Sequence, residues 1–203
     1  MSHVATSARV SRGRRGQGWM LALGAALVAA VIVYPLLSGG VHRNALPLTD
    51  ASIIREQASD KHLDPALVAA VIYAESKFEP RPSSAGAQGL MQILPETAYY
   101  LAKLSGGRRF TAADLATPAV NVAYGSYYLR YLLDHYHGNE MLAVAAYNGG
   151  LTNVDSWVAR AHESGESLSI GAIPFTETRE YVQRVLNAQQ EYRQTYPREL
   201  GLS

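Results

Sequence analysis

Glu75 closes the run "ALVAAVIYAE" at residues 66–75. A carboxylate is costly among apolar groups, so its place in such a run is informative. On a helix that starts at Pro65, the residues Val68, Val71, Ile72 and Glu75 follow i, i+3, i+4, i+7 spacing and share one face. Glu75 therefore continues an apolar stripe. It also falls in the last turn, where unpaired carbonyls gather partial negative charge. Burial and the helix end both disfavour the charged form and raise its proton affinity. That is the condition a general acid needs near neutral pH. The plain alternative is a glutamate at a fraying helix end, reaching water.

Other segments carry polar and small residues in patterns that suit a site. "SSAGAQG" at 83–89 is a Gly/Ser-rich loop, followed after Leu90 by Met91 and Gln92. Tyr147 and Asn148 stand just before Gly149 and Gly150. Glu177 and Tyr181 are four residues apart and so share a helix face. Competing chemistries are not supported. There is no HExxH, and His135 and His137, two apart, point to different sides of a helix. There is no P-loop and no GxSxG turn, and Ser76 has no matched histidine. Asp64, Asp114 and Asp134 read as caps or solvated charges. No metal and no organic cofactor is implied.

The elements that must position these residues are helical throughout, with no alternating strand pattern. "TDASIIREQASDKH" reads as a first helix capped by Thr49 or Asp50. The Glu75 helix has Asp64 as N-cap and Pro65 at its first position. Pro95 opens a short helix, and Thr117 and Pro118 open a longer one that stops at Gly138. A helix from Asn139 ends at Gly149-Gly150, and "TNVDSWVARAH" forms the next. After the polar stretch "ESGESLSIG", a last long helix from Thr176 is ended by Pro197. The expected domain is all-α and spans residues 49–203.

Residues 19–38, "WMLALGAALVAAVIVYPLLS", carry no charge. As a helix they reach about 30 Å, the depth of a bilayer core. Arg9, Arg12, Arg14 and Arg15 precede them in the basic segment 1–18. The positive-inside rule then places the N-terminus in the cytoplasm and the rest of the chain outside. The expectation is a single-pass signal anchor in the cytoplasmic membrane with a periplasmic domain. A cleaved signal peptide is the rival, and the small residues Ser38, Gly39 and Gly40 suit it, although the run exceeds a usual h-region. Residues 39–48 read as a linker.

Composition bounds the partners. Of the 203 residues, 48% are hydrophobic and 17% charged, which allows a packed core. From residue 41 onward there are 14 Lys and Arg against 17 Asp and Glu, a net −3. A mildly acidic domain of this kind is a poor nucleic-acid binder. Cysteine is absent, so there is no thiol nucleophile and no disulfide framework. Thirteen tyrosines against three phenylalanines supply aromatic faces with polar tips, which suit sugars.

Four blocks, in order, resemble the SLT-type lytic transglycosylases, whose fold is similar to goose lysozyme. They are "AESKFEP", "SSAGAQGLMQILPETA", "AVAAYNGG" and "PFTETREYVQRV", within residues 50–195. The family usually has alanine where Gly149 stands, and its loop often has proline where Ser84 stands. The resemblance implies cleavage of the β-1,4 bond between N-acetylmuramic acid and N-acetylglucosamine in peptidoglycan, leaving a 1,6-anhydromuramoyl end. Glu75 takes the place of the acid that later becomes the base. Ser83 or Ser84 faces the substrate, Gln92 bonds an acetamido or hydroxyl group, and Tyr147 bonds Glu75 or the acetamido group. Asn148 stands at the same cleft, and Tyr181 either faces it or simply packs. Met91 is either core filler or cleft lining, and the resemblance favours the lining. Glu177 is either a polar group of the cleft or a helix-start carboxylate. A hydrolytic muramidase on the same scaffold, or a peptidoglycan-binding scaffold of weak activity, are the alternatives. Peptidoglycan strands, the membrane and proteins of a larger envelope machine are the expected partners.

Overall fold

The computed structural model describes residues 45–106 and 110–202. Residues 46–202 fall within one compact unit. Its α-helices are α1 (Ala51–Asp60), α2 (Pro65–Ser76), α3 (Pro95–Ser105), α4 (Pro118–His135), α5 (Glu140–Gly149), α6 (Leu151–Glu163) and α7 (Thr176–Thr195). Short 3-10 turns occupy Ala112–Ala116 and Ile170–Ala172, the second inside the stretch expected to be an irregular polar connection. No strand occurs among the described residues, and the all-helical expectation is met. One isolated antiparallel bridge joins Gln88 to Ile93.

Local sequence explains the helix ends. The Asp64 carboxylate accepts from the backbone N–H groups of Ala66 and Leu67 at 3.0 and 3.2 Å, and Pro65 needs no donor there. Asp64 does more than cap, since Gln189 and Arg193 of α7 both donate to its Oδ2, at 2.7 and 2.9 Å. Asp114 completes a capping box with Thr111. Asp50 and Thr117 stand at cap positions without a side-chain capping bond. Gly150, at φ 84°, is the single residue between α5 and α6, which lets the chain turn sharply there.

Helix α2 is the centre of the core. Every residue from Ala66 to Ile72 is buried, so the helix is enclosed on all sides and not along one stripe only. Helix spacing alone does not show this, because the alanines on the other faces are small enough to be covered by neighbouring helices. α7 lies along α2 in the most extensive helix–helix contact of the domain, through Val182, Val185 and Tyr192. α5 packs against both α4 and α7.

The expected linker at 39–48 is shorter than its sequence suggests. Leu46 and Leu48 pack against the core. The Tyr192 hydroxyl donates to the Pro47 carbonyl at 2.6 Å, and the Tyr196 hydroxyl to that of Leu46 at 2.7 Å. This strap belongs to the domain, because two apolar side chains and two carbonyls find partners on it. The expected membrane helix at 19–38 and the basic segment before it lie outside the described residues. No helix among the described residues is long and apolar enough to cross a membrane.

Candidate active site

Glu75 is the penultimate residue of α2, half-buried where the enclosed helix meets the surface. The chain leaves it through two consecutive left-handed residues, Lys77 at φ 53° and Phe78 at φ 64°. Each such conformation costs a non-glycine residue roughly 1–2 kcal/mol. Two contacts hold the turn. The Phe78 ring is buried against Tyr192, centroids 6.3 Å apart, and Glu79 N–H donates to the Ser76 carbonyl at 2.9 Å. Strain of this kind is held in place by its surroundings, and it occurs two residues from the candidate acid.

Burial pushes the Glu75 carboxyl up to about 7. The Tyr181 hydrogen bond and the Arg184 charge pull the other way, more weakly. The Tyr181 hydroxyl donates to Glu75 Oε1 at 2.6 Å. Tyr181 is itself buried, and desolvation together with the nearby Glu75 charge raises its own proton affinity well above the usual tyrosine range. It therefore stays a donor wherever Glu75 titrates. Among the described residues, the groups that shift Glu75 are Tyr181 and Arg184, and neither is a carboxylate. Glu177 is exposed in the first turn of α7, the place of a helix-start carboxylate.

Of the two partners expected for Tyr147, Glu75 is not the one it bonds here. Its hydroxyl donates to the Met91 carbonyl at 3.0 Å, and the bond to Glu75 is made by Tyr181 instead. Tyr147 still lies close enough to feel the Glu75 charge, which adds to burial in raising its proton affinity. It links α5 to the loop that faces the acid. Met91 is fully buried, with its sulfur where a Cβ on Gly125 would fall, so its side chain is core and not cleft lining. At Met91 the loop gives its carbonyl to Tyr147 and its thioether to the core.

The loop at 80–94 is tied to itself. The Ser83 hydroxyl accepts from Ala87 N–H at 3.0 Å, and Ser84 is exposed beside it. Gln92 has a left-handed backbone, φ 46°, which folds its side chain back over the loop. Its amide NH2 donates to the Arg81 and Gly89 carbonyls, both at 2.8 Å. Only its oxygen is left to meet a ligand, so Gln92 serves the loop first. A residue not singled out from the sequence clamps this loop from below. Asn121 of α4 is fully buried. It accepts from Met91 N–H at 2.8 Å and donates to the Gln88 and Leu115 carbonyls at 2.7 and 3.0 Å. Gly89 is obligatory here, since a Cβ would stand 2.1 Å from the Asn121 amide nitrogen. An asparagine in the first turns of an apolar helix was the available signal, because the residue favours such positions only when its side chain is occupied.

Asn148, at the end of α5, receives a hydrogen bond from the buried Thr178 hydroxyl at 2.8 Å. With the oxygen so used, the amide presents its NH2 outward as a donor. A Cβ on Gly149 would lie 2.9 Å from the Thr178 oxygen and 3.1 Å from its methyl, so glycine lets α5 approach α7 closely here.

The arrangement is a protonatable carboxyl on a rigid helix end, a tyrosine that orients it, and a clamped loop facing it. A profile of the Transglycosylase SLT domain matches residues 52–170, more than half of the chain. The chain belongs to the SLT transglycosylase family. The soluble lytic murein transglycosylase of Escherichia coli strain K12 is 31% identical over 150 residues, 72% of this chain and 23% of that protein. Lytic transglycosylase Slt of Pseudomonas aeruginosa, solved as an inactive glutamate-to-glutamine variant, superposes with a TM-score of 0.68 at 29% identity. That superposition covers 83% of this chain and 29% of the other. The membrane-bound lytic murein transglycosylase C of Glaesserella parasuis is 28% identical over 187 residues, 80% of this chain and 50% of that protein. The SLT chain described here thus spans under a third of the length of the first two.

Within this SLT domain, Tyr181→Phe tests how the acid is set. The lost hydrogen bond favoured the carboxylate, so the proton affinity of Glu75 rises. The alkaline limb of the kcat/KM profile is expected to move to higher pH, while kcat falls roughly ten-fold as the carboxyl loses its orientation. A profile with an unmoved alkaline limb counts against this role.

Proposed function

We propose that this protein is a peptidoglycan lytic transglycosylase that cleaves the β-1,4 bond between N-acetylmuramic acid and N-acetylglucosamine. The carrying observation is the Glu75 carboxyl, pushed up to about 7 and held by Tyr181, with no carboxylate among the described groups that shift it. A two-carboxylate hydrolase needs a second acid to form a glycosyl intermediate or activate water. One carboxyl suffices when the substrate supplies the rest. Glu75 gives its proton to the leaving oxygen as the C1–O bond breaks, and the 2-acetamido group stabilises the anomeric carbon. The 6-hydroxyl oxygen of the same muramoyl residue then bonds to C1, and its proton returns to Glu75. No water is consumed, and the product carries a 1,6-anhydro ring.

Asn148 NH2, the Ser83 and Ser84 hydroxyls and the Gln92 oxygen are the polar groups proposed to meet the sugars. The inactivity of the glutamate-to-glutamine variant of the Pseudomonas relative is consistent with a required glutamate in this fold. An envelope location with attachment through residues 19–38 is proposed from their apolar run and the arginines before it. The membrane-bound relative supports an envelope setting.

The test is digestion of purified peptidoglycan by the full chain, with mass spectrometry of the released muropeptides. Anhydromuramoyl ends are expected. Reducing ends would show a hydrolase instead, and binding without release by folded protein would show a scaffold.

A further inference from the structure

A second concave site involves the ends of α1 and α3 and the middle of α4. Lys61, Ser105, Ala123, Tyr124 and Tyr127 line a cavity of about 200 Å³. None of the five belongs to the site at Glu75. Ala123 and the two tyrosine rings supply apolar wall, and Tyr124 is packed on Phe110 with centroids 4.5 Å apart. Lys61 is the cation of the lining. It is half-buried, and the loss of water lowers its proton affinity, while the charges of Asp60 and Glu56 act more weakly the other way. Its Nζ donates to the Gln57 side-chain oxygen at 2.6 Å. Lys61 makes no ion pair among the described residues. An ammonium has three donors, so two are left for a ligand. Ala123, Ser126, Tyr127 and Arg130 follow helix spacing along one side of α4. The fully buried Ser126 hydroxyl and Arg130 Nε have no partner among the described residues. Polar groups on this side of α4 thus outnumber the partners that the fold gives them.

We propose that this cavity binds a single carboxylate carried on a small aromatic or aliphatic body. The carboxylate meets the Lys61 ammonium, and the body lies against Ala123 and the Tyr124 and Tyr127 rings. An ammonium that has already lost part of its water gains more from an anion than one in open solvent. The charge balance selects the ligand. One ammonium, with Asp60 and Glu56 near it, matches one negative charge and disfavours a phosphate group, which carries roughly two. The volume sets the size of the body, since benzene fits a cavity of about 150 Å³. The inference stands apart from the reaction at Glu75 and from its substrate.

The experiment follows para-fluorobenzoate and its neutral isostere para-fluorobenzamide by fluorine NMR. Each is titrated at neutral pH with the full-length protein in detergent, against a protein-free micelle blank. The acid is expected to bind with a Kd of roughly 1 mM, and the amide at least roughly ten-fold more weakly. Lys61→Met is expected to bring the acid down to the level of the amide, and Lys61→Arg to retain the preference. Tyr127→Ala removes wall and not charge, and is expected to weaken both probes roughly five-fold. Lys77→Met, two residues from Glu75 at the exposed end of α2, is expected to change neither. Equal affinity of the parent protein for acid and amide overturns the proposal without recourse to any variant. So does an absence of binding at about 20 mM acid. A preference for the acid that survives in a folded Lys61→Met protein, or that is lost in Lys77→Met, places the acid elsewhere and overturns it too.

Discussion

Glu75→Gln is expected to reduce cleavage of peptidoglycan by at least roughly a thousand-fold, because the amide can neither give nor take the proton. The same substitution is expected to make the protein more stable above neutral pH. The folded carboxyl titrates at about 7, against an ordinary value of 4.5. A raised acid contributes its full stability below the unfolded value, and that stability is lost as pH rises through the folded value. Between those limits the folded state holds the extra proton, so unfolding free energy falls as pH rises. Above pH 8 the buried charge costs wild type on the order of 2–3 kcal/mol. Glutamine carries no such charge. Denaturant midpoints for the two proteins should therefore converge near pH 4 and separate in favour of the variant by pH 8. Parallel midpoints across that range would show that the carboxyl is not desolvated as the fold indicates.

Asn121→Ala carries the second large effect, this time on the fold. Three backbone groups lose their partner at once: Met91 N–H and the Gln88 and Leu115 carbonyls. Each buried group left unpaired costs about 1–3 kcal/mol. The expected destabilisation is about 3–5 kcal/mol, a large share of the 5–15 kcal/mol typical of a whole domain. Activity should fall further than stability alone explains, because Gln88 and Met91 belong to the loop that faces Glu75. Chemical denaturation and cleavage of the same preparation measure both. A variant within about 1 kcal/mol of the parent would remove Asn121 from its place as the clamp.

The contrast between these residues shows what was legible in the sequence. Helix starts were readable because Asp64, Pro65, Pro95 and Pro118 act through their own backbone neighbours. Glu75 was readable because helix spacing relates it to Val68 and Val71 without help from elsewhere. Contacts between distant segments were not. Tyr147 and Tyr181 are equally apt partners for a carboxyl, and only packing of α7 along α2 decides for Tyr181. Met91 and Gln92 were placed at the cleft by resemblance, with the core left open for Met91. The fold sends the Met91 side chain into the core and turns the Gln92 amide NH2 back onto the loop, leaving its oxygen outward. Asn121 was invisible as a clamp because its partners lie 6, 30 and 33 residues away. The strap at Leu46 to Leu48 looked like a spacer because nothing local reveals that Tyr192 and Tyr196 seek its carbonyls.

The close packing of α7 along α2 has a consequence for how the site breathes. Amides of these two helices are expected to exchange with solvent chiefly through global unfolding, since their bonds are shielded by the deepest part of the core. In the loop at 80–94, Leu90, Met91 and Ile93 are buried in the core and Tyr147 and Asn121 tie it down, whereas residues 80–86 are exposed throughout. That outer part is expected to open in a smaller, cheaper fluctuation. The two sides of the site therefore belong to different cooperative units. Glu75, the proposed proton donor, is thus held on the wall expected to open last, and the exposed end of the loop is expected to open first.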